Sequence, residues 1–118
     1  MAVLNSVSAF HDEMVEWRRD LHAHPELQFE TKRTAGVVTD KLRAFGVDEL
    51  HHDLARNSVI GVIHGQHPGD GAIALRADMD ALPMQEESGV SWQSTIPGRM
   101  HACGHDGHTT MLLSLIHI

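Results

Sequence analysis

The chain has 118 residues, enough for a single domain with a modest core. Its formal net charge of −7 argues against a nucleic-acid partner, because no basic patch is available to neutralise phosphates. The single cysteine excludes an internal disulfide, and we identify neither a secretory signal nor an apolar run long enough to cross a membrane. We therefore expect a soluble protein of a reducing compartment, the cytoplasm.

Two helices are predicted in the first half of the chain. Apolar residues recur every three or four positions from Leu4 to Leu21, which predicts a helix from about Ser6 to His22 with Trp17 in the core. A second helix is predicted after Thr31, ending at Gly46. Its inward-facing residues are expected to be Ala35, Val38, Leu42 and Phe45.

The segment between these helices, His22-Ala23-His24-Pro25-Glu26-Leu27, contains two histidines that could bind a metal. Pro25 and Glu26 also suit a turn that joins two helices. We favour the structural interpretation for this segment.

Strands are predicted in the middle of the chain. Residues 47–54 could form a short edge strand, and the β-branched run 57–64 predicts a second strand. Turn-forming residues follow at 65–71. Residues 72–77 are nearly all apolar and predict a strand buried on both faces. This alternation indicates the α/β class, and we expect a sheet that is not complete within this length.

Two aspartates, Asp78 and Asp80, directly follow the last predicted strand. Open α/β sheets bind ligands at the carboxyl ends of their strands, and carboxylates this close together favour a neutralising cation. From these residues alone, an Asp-rich turn that ends at Pro83 is an equally good interpretation. Further along, Glu86 and Glu87 fall in a polar loop, where we expect solvated side chains.

The stretch from Met100 to His108 holds three histidines, one carboxylate and the only cysteine. Thiolate, imidazole and carboxylate are the ligands of a zinc-type site. Cys103 and His105 are two residues apart, so they share a face only in extended backbone. We therefore expect a loop or strand end here, with a helix starting after it. The alternative is a turn with a buried cysteine and surface histidines.

Three stretches, residues 18–27, 74–83 and 97–109, together resemble the opening motifs of one family of metal-dependent amidohydrolases. This family includes hippurate hydrolase, N-acyl-amino-acid hydrolases and plant auxin-conjugate hydrolases, and is related to aminoacylase and the co-catalytic metallo-carboxypeptidases. The resemblance covers about residues 12–113. It implies an αβα zinc-peptidase-like catalytic domain, of which residues 1–118 form the N-terminal part, with two helices, a few strands and the start of a third helix.

The same resemblance implies that the family's lid or dimerisation domain is absent from this chain. Residues 114–118 depart from the family pattern, and we interpret them as a tail of foreign sequence. The family's general base is a glutamate that lies well beyond the Cys-Gly-His motif, together with two further histidine ligands. We therefore expect the 118 residues alone to be inactive.

The resemblance also implies roles for individual residues. Cys103 and His105 match two ligands of a pair of divalent metal ions. Asp80 matches a catalytic-site aspartate that orients a metal-bound histidine, while Asp78 occupies the position of a histidine ligand in related families, which leaves its role uncertain. His108 is expected to support the site. A thiolate ligand favours zinc or manganese, with cobalt or nickel as alternatives, over magnesium and calcium.

The implied activity is hydrolysis of the amide bond of small N-acyl amino acids, such as hippurate, by a metal-activated water. The parent enzyme would have no nucleic-acid or membrane partner and could be a homo-oligomer. Two alternatives stay open at this point. The chain could be a non-catalytic fragment that binds a metal or a partner, or part of a hydrolase that uses Cys103 as its nucleophile.

Overall fold

The amphipathic run at the start of the chain folds as two helices instead of one. In the computed structural model, which describes residues 5–67 and 69–117, α1 spans Asn5–Ala9 and α2 spans His11–Ala23. They are separated at Phe10, whose φ of −90° and ψ of 3° leave the helical region. The helix prediction is thus confirmed with one break, and Trp17 is buried as expected. Leu4 lies outside the described residues.

The second predicted helix is confirmed as α3, Lys32–Phe45. Glu26 caps its first turn: Oε1 accepts from the Arg33 N–H at 2.9 Å, and Oε2 accepts from the Thr34 N–H at 2.7 Å. A carboxylate here satisfies amides that have no partner within the helix and favours the positive end of the helix dipole. Gly46 ends the helix at a φ of 75°, a left-handed conformation that glycine adopts without strain.

The sheet has two antiparallel strands, β1 at Glu49–His52 and β2 at Val59–Val62. Both lie within the predicted strand segments but are shorter, and Glu49 pairs with Val62. Helix α3 packs against β2 so closely that a Cβ at Gly61 would lie 3.3 Å from Leu42.

Residues 72–77 do not form the predicted strand, and they are not buried on both faces. Among the described residues none pairs with them, and Ile73 and Leu75 are 91% and 64% exposed. A strand exists only through hydrogen bonds to a neighbour, so an apolar run shows a tendency to be buried without supplying the partner. The prediction is therefore wrong for these residues.

The third predicted helix is observed as α4, which spans His105–Ser114 and is followed by a 3-10 turn over Leu115–His117. Helix α4 packs against α2, and this contact forms much of the core. The core contains the buried Trp17, Val38 and Leu113, with Met14, Leu42, Phe45, Val59 and Met79 packed around them. Burial of each large apolar side chain stabilises the fold by about 1.5–3 kcal/mol.

The segment around Asp80 is held beside the start of α4 by short backbone contacts. The Ala81 N–H donates to the Glu26 carbonyl at 2.7 Å. Leu82 and Met100 exchange two backbone hydrogen bonds, of 2.9 and 3.0 Å. These contacts bring the aspartate segment and the cysteine-histidine segment together in an α/β fold. No helix within the described residues combines the length and apolar character that a membrane crossing requires.

Candidate metal centre

The cysteine-histidine segment turns sharply at Gly104, which has a φ of 82°. Any other residue would be strained at this φ, and an added Cβ would contact Nε2 of His108 at 3.9 Å. The turn leaves Cys103 in the loop and makes His105 the first residue of α4. The predicted order, a loop followed by a helix, is confirmed.

His105 is held by Asp80. Its Nδ1–H donates to the Asp80 carbonyl at 2.8 Å and to Oδ1 of the Asp80 carboxylate at 3.0 Å. Both partners are acceptors, so Nδ1 carries the hydrogen, and a neutral ring then keeps a lone pair on Nε2. A carboxylate behind a histidine in this way is the usual second contact of a metal-binding imidazole.

Along the chain, Cys103 precedes His105 by two residues and His108 follows it by three. Cys103 is exposed, which contradicts the alternative in which this cysteine is buried. His108 is also exposed, and its ring centroid lies 5.7 Å from that of His105. An accessible thiol and an imidazole nitrogen are donors suited to a soft transition metal.

Asp78 and Asp80 have different partners. The Asp78 carboxylate forms an ion pair with Arg76, and the Asp78 carbonyl accepts a hydrogen bond from the Thr109 hydroxyl at 3.1 Å. Asp80 contacts His105. The structure therefore brings Asp80 to the cysteine-histidine segment, while the Asp78 side chain is engaged by its own neighbour in the chain.

A buried polar network behind α4 was not foreseen from the sequence. His22 donates from Nδ1 to Oδ2 of Asp106 at 2.8 Å and from Nε2 to Oε1 of Glu86 at 3.0 Å. Arg18 also donates to Oδ2 of Asp106, at 3.1 Å. Glu86 is only 6% exposed, so the expectation of a solvated side chain is wrong for Glu86, although Glu87 is exposed.

Both carboxylates of this network stay ionised in spite of their burial. Burial by itself raises the pKa of Glu86, but hydrogen bonds from Ser88, the Ser94 N–H and His22 outweigh it and lower the pKa to about 2. Burial likewise opposes ionisation of Asp106, and hydrogen bonds from His22 and a backbone N–H keep its pKa below the usual range. The sequence offered one signal, the two histidines before Pro25.

His101 lies next to this network. It is 5% exposed, and its ring centroid is 6.3 Å from that of His22. Burial lowers the pKa of His101, and the nearby Asp106 charge opposes that effect. Within the described residues, neither ring nitrogen of His101 has a hydrogen-bond partner, and neither has Oδ1 of Asp106. Buried polar atoms normally have partners, so this spot is suited to a further polar group.

The described residues do not complete a metal site. Across residues 5–67 and 69–117, no group of three or more His, Cys, Asp or Glu side chains is arranged to hold an ion. The donor set of Cys103 and His105 fits a transition metal, but it supplies two ligands where a catalytic zinc has three and a water. The described residues therefore offer two candidate ligands and not a complete site.

A family model described as peptidase family M20/M25/M40 matches residues 74–118, the part of the chain that contains Asp80, Cys103 and His105. A solved structure of the Bacillus subtilis YXEP protein, described as a dinuclear metal binding peptidase from the M20 family, matches 93% of this chain with a TM-score of 0.81 and 39% identity. The chain is therefore similar to the M20/M25/M40 peptidase family in both sequence and fold. The resemblance inferred from its motifs is confirmed.

Proteins similar to this chain include amidohydrolases. The N-acyl-L-amino acid amidohydrolase of Geobacillus stearothermophilus is 52% identical over 101 residues, which are 86% of this chain and 27% of the relative. The hippurate hydrolase of Campylobacter jejuni is 41% identical over 113 residues, which are 96% of this chain and 29% of the relative. The chain spans less than a third of the length of these relatives and 32% of the YXEP chain.

Proposed function

We propose that the protein containing this chain is a metal-dependent amidohydrolase that cleaves the amide bond of N-acyl amino acids. The observation that carries the proposal is the Asp80–His105 pair beside an exposed Cys103. Asp80 fixes the His105 ring and keeps the hydrogen on Nδ1, so Nε2 can face a metal. Relatives named for N-acyl-amino acid and hippurate hydrolysis support this substrate class.

The proposed cofactor is a pair of divalent transition-metal ions. Cys103 as a thiolate and His105 as a neutral imidazole would be ligands, and these donors favour zinc or manganese, with cobalt or nickel as alternatives. The YXEP protein, described as a dinuclear metal binding peptidase, supports the number of ions. Asp78 would need to leave Arg76 to become a ligand, and His108 stays a supporting residue.

The roles of this chain's residues in the reaction follow from their contacts. When bound, a metal pair would lower the pKa of a water molecule and polarise the amide carbonyl of the substrate. Asp80 acts in catalysis by holding His105 in one tautomer and one orientation. Neither Glu86 nor Glu87 is proposed as the general base. Glu86 is buried against His22, and Glu87 makes no described contact with Asp80, Cys103 or His105.

Residues 1–118 are proposed to be the N-terminal part of the catalytic domain. Residues 114–118 are proposed to be a tail that departs from the family pattern. The proposed partner is a small substrate, without nucleic acid or membrane, and a net charge of −7 supports that exclusion for nucleic acid. The parent is proposed to be cytoplasmic, supported by its single unpaired cysteine here, and to form homo-oligomers.

The test is Cys103→Ser in the intact protein that contains these residues. A hydroxyl is a far poorer ligand for a soft metal than a thiolate, so we expect bound metal to fall and amide hydrolysis to drop by about 100-fold or more. Metal content by mass spectrometry and turnover of an N-acyl amino acid measure both quantities. Ala102→Ser places the same hydroxyl one residue earlier on an exposed position and should leave both unchanged.

The same experiment separates the metal role of Cys103 from a nucleophilic one. If Cys103→Ser retains its metal but loses turnover, and a chelator does not inhibit the unsubstituted protein, Cys103 is the nucleophile and the proposal is wrong. If metal content and turnover both stay at the unsubstituted level, Cys103 is no part of the site.

A further inference from the structure

Three elements that are distant in sequence meet at one buried side chain, His22. It projects from the last turn of α2, Glu86 comes from the loop before the metal centre, and Asp106 is the second residue of α4. Their exposures are 5%, 6% and 1%, respectively. Such burial of a histidine between two carboxylates requires that each hydrogen bond be made, because an unpaired charge in the interior is strongly unfavourable.

Glu86 provides a rigid anchor for this network. Its Oε2 accepts from the Ser94 N–H at 2.6 Å, and its Oε1 accepts from the Ser88 hydroxyl as well as from His22. The loop is itself tied to α2, since the Thr95 N–H and hydroxyl both donate to the Ala23 carbonyl. The anchored Glu86 therefore fixes Nε2 of His22, and the opposite ring nitrogen, Nδ1, bonds to Asp106.

Asp106 carries this fixation to the metal centre, because it directly follows His105 in the first turn of α4. The first N–H groups of a helix have no carbonyl partner within the helix, so side-chain contacts help to hold its first turn in place. Asp80 orients the ring of His105, whereas the bond between His22 and Asp106 holds the backbone that carries this ring. The two contacts control different degrees of freedom.

We propose that His22 is a positioning residue that fixes the first turn of α4, and with it the Cys103–His105 loop, by bridging the buried carboxylates of Glu86 and Asp106. This inference rests on the proposed function only in the role of the loop, which is to bind metal.

The primary test compares His22→Gln with His24→Gln in the intact protein. A glutamine can donate to one carboxylate at a time, so the bridge is broken. His24 lies two residues further along and is partly exposed, and its ring pairs with Asp20 and not with either network carboxylate in the described part of the chain, which makes it the matched control. The apoprotein is titrated with Co²⁺, and the thiolate-to-cobalt absorption band reports binding through Cys103. Titrations are run well below the melting temperature of each variant, and hydrogen exchange follows the amides of residues 104–108.

We expect His22→Gln to weaken Co²⁺ binding by about tenfold, the lower end of the effect of residues that orient metal ligands. Amide exchange at residues 104–108 should accelerate in the apoprotein, and His24→Gln should match the unsubstituted protein in both measurements. A purely structural role for His22 would lower the melting temperature and leave Co²⁺ affinity and local exchange unchanged in the folded protein. That result would overturn the inference.

Glu86→Gln provides a second, milder test should His22→Gln fail to fold. It removes the anchoring charge and preserves the side-chain shape, so we expect a Co²⁺ affinity several-fold weaker than for Glu87→Gln, its exposed neighbour. Equal affinities for these two variants would also contradict the positioning role.

Cys103→Ser is measured in parallel. If this variant retains the cobalt band, the proposed function is wrong. If the band is lost but Co²⁺ affinity is unaffected in His22→Gln and Glu86→Gln, only the positioning role is rejected.

Discussion

At the residue scale, hydrogen-bond partners distinguish acidic side chains that look alike in the sequence. Asp78 and Asp80 are two residues apart, yet one pairs with Arg76 and the other with His105. Glu86 and Glu87 are adjacent, yet one is buried on His22 and the other is exposed. In each pair, therefore, one carboxylate bonds to a histidine and the other does not in any described contact.

Asp80→Asn should cost turnover more than stability. The Asp80 side chain is 38% exposed and its bond to His105 is partly solvated, so its loss should cost about 1 kcal/mol or less of unfolding free energy. Turnover in the intact protein should fall about 10- to 100-fold, because an amide orients a metal-bound imidazole less well than a carboxylate. Parallel measurements of kcat and melting temperature check this, with Glu87→Gln as control. Proportionate losses in both would favour a turn-stabilising role for Asp80.

Glu86 should make the apoprotein sensitive to acid. Its pKa is about 2 in the folded state against 4.5 for the free side chain, so its contribution to stability is complete above pH 4.5 and is lost as the pH falls towards 2. Urea unfolding between pH 3 and pH 7 should show a shallower acid loss in Glu86→Gln than in Glu87→Gln. Identical pH dependence in the two variants would show that Glu86 is not held ionised by its partners.

At the element scale, glycine has opposite roles within and after α3. Gly46 has a φ of 75° and ends the helix, whereas Gly36 lies inside it with no atom within 4 Å of an added Cβ. The left-handed conformation at Gly46 costs little for glycine and more for any residue with a Cβ.

We therefore expect Gly46→Ala to destabilise the fold by about 1 kcal/mol and Gly36→Ala to stabilise it by about 0.5–1 kcal/mol. Chemical denaturation of both variants measures the two free energies of unfolding. The opposite signs make each variant a control for the other. Stabilisation by Gly46→Ala would contradict a left-handed helix end at this position.

Segments of the chain also differ in how much of their apolar surface is buried by neighbouring elements. Helices α2 and α4 bury Trp17 and Leu113 against each other, while Ile73 and Leu75 stay exposed in a segment that pairs with no strand among residues 5–67 and 69–117. An exposed apolar segment with unpaired backbone groups favours association between molecules.

At the scale of the whole molecule, residues 1–118 alone should not hydrolyse N-acyl amino acids. Under the proposed function, Cys103 and His105 would supply two ligands, whereas a catalytic zinc needs three protein ligands. The described residues contain no further cluster that could complete the site. The purified chain with added zinc or manganese is assayed for amide hydrolysis, and we expect no turnover and only weak metal binding. Steady turnover that a chelator abolishes would contradict both expectations.

Local pattern in the sequence was sufficient for the helices and for the loop that carries Cys103. The stripe around Trp17, the stop at Gly46 and the start of α4 after the cysteine each depend on neighbours within a few residues, and all three were predicted. Helix periodicity and capping are short-range effects, so they can be recognised without the fold. The motifs around Asp80 and Cys103 likewise indicated a family of metal-dependent amidohydrolases, and residues 74–118 match the model of peptidase family M20/M25/M40.

Tertiary structure decided which side chains meet. His22 reaches Glu86 and Asp106 across 64 and 84 residues, and no local signal in the polar loop distinguished the buried Glu86 from Glu87. The apolar run at 72–77 shows the same limit, because a strand needs a neighbour that its own residues do not specify. Burial of a charge and pairing of a strand are both properties of a contact between distant segments, and only the folded chain contains that contact.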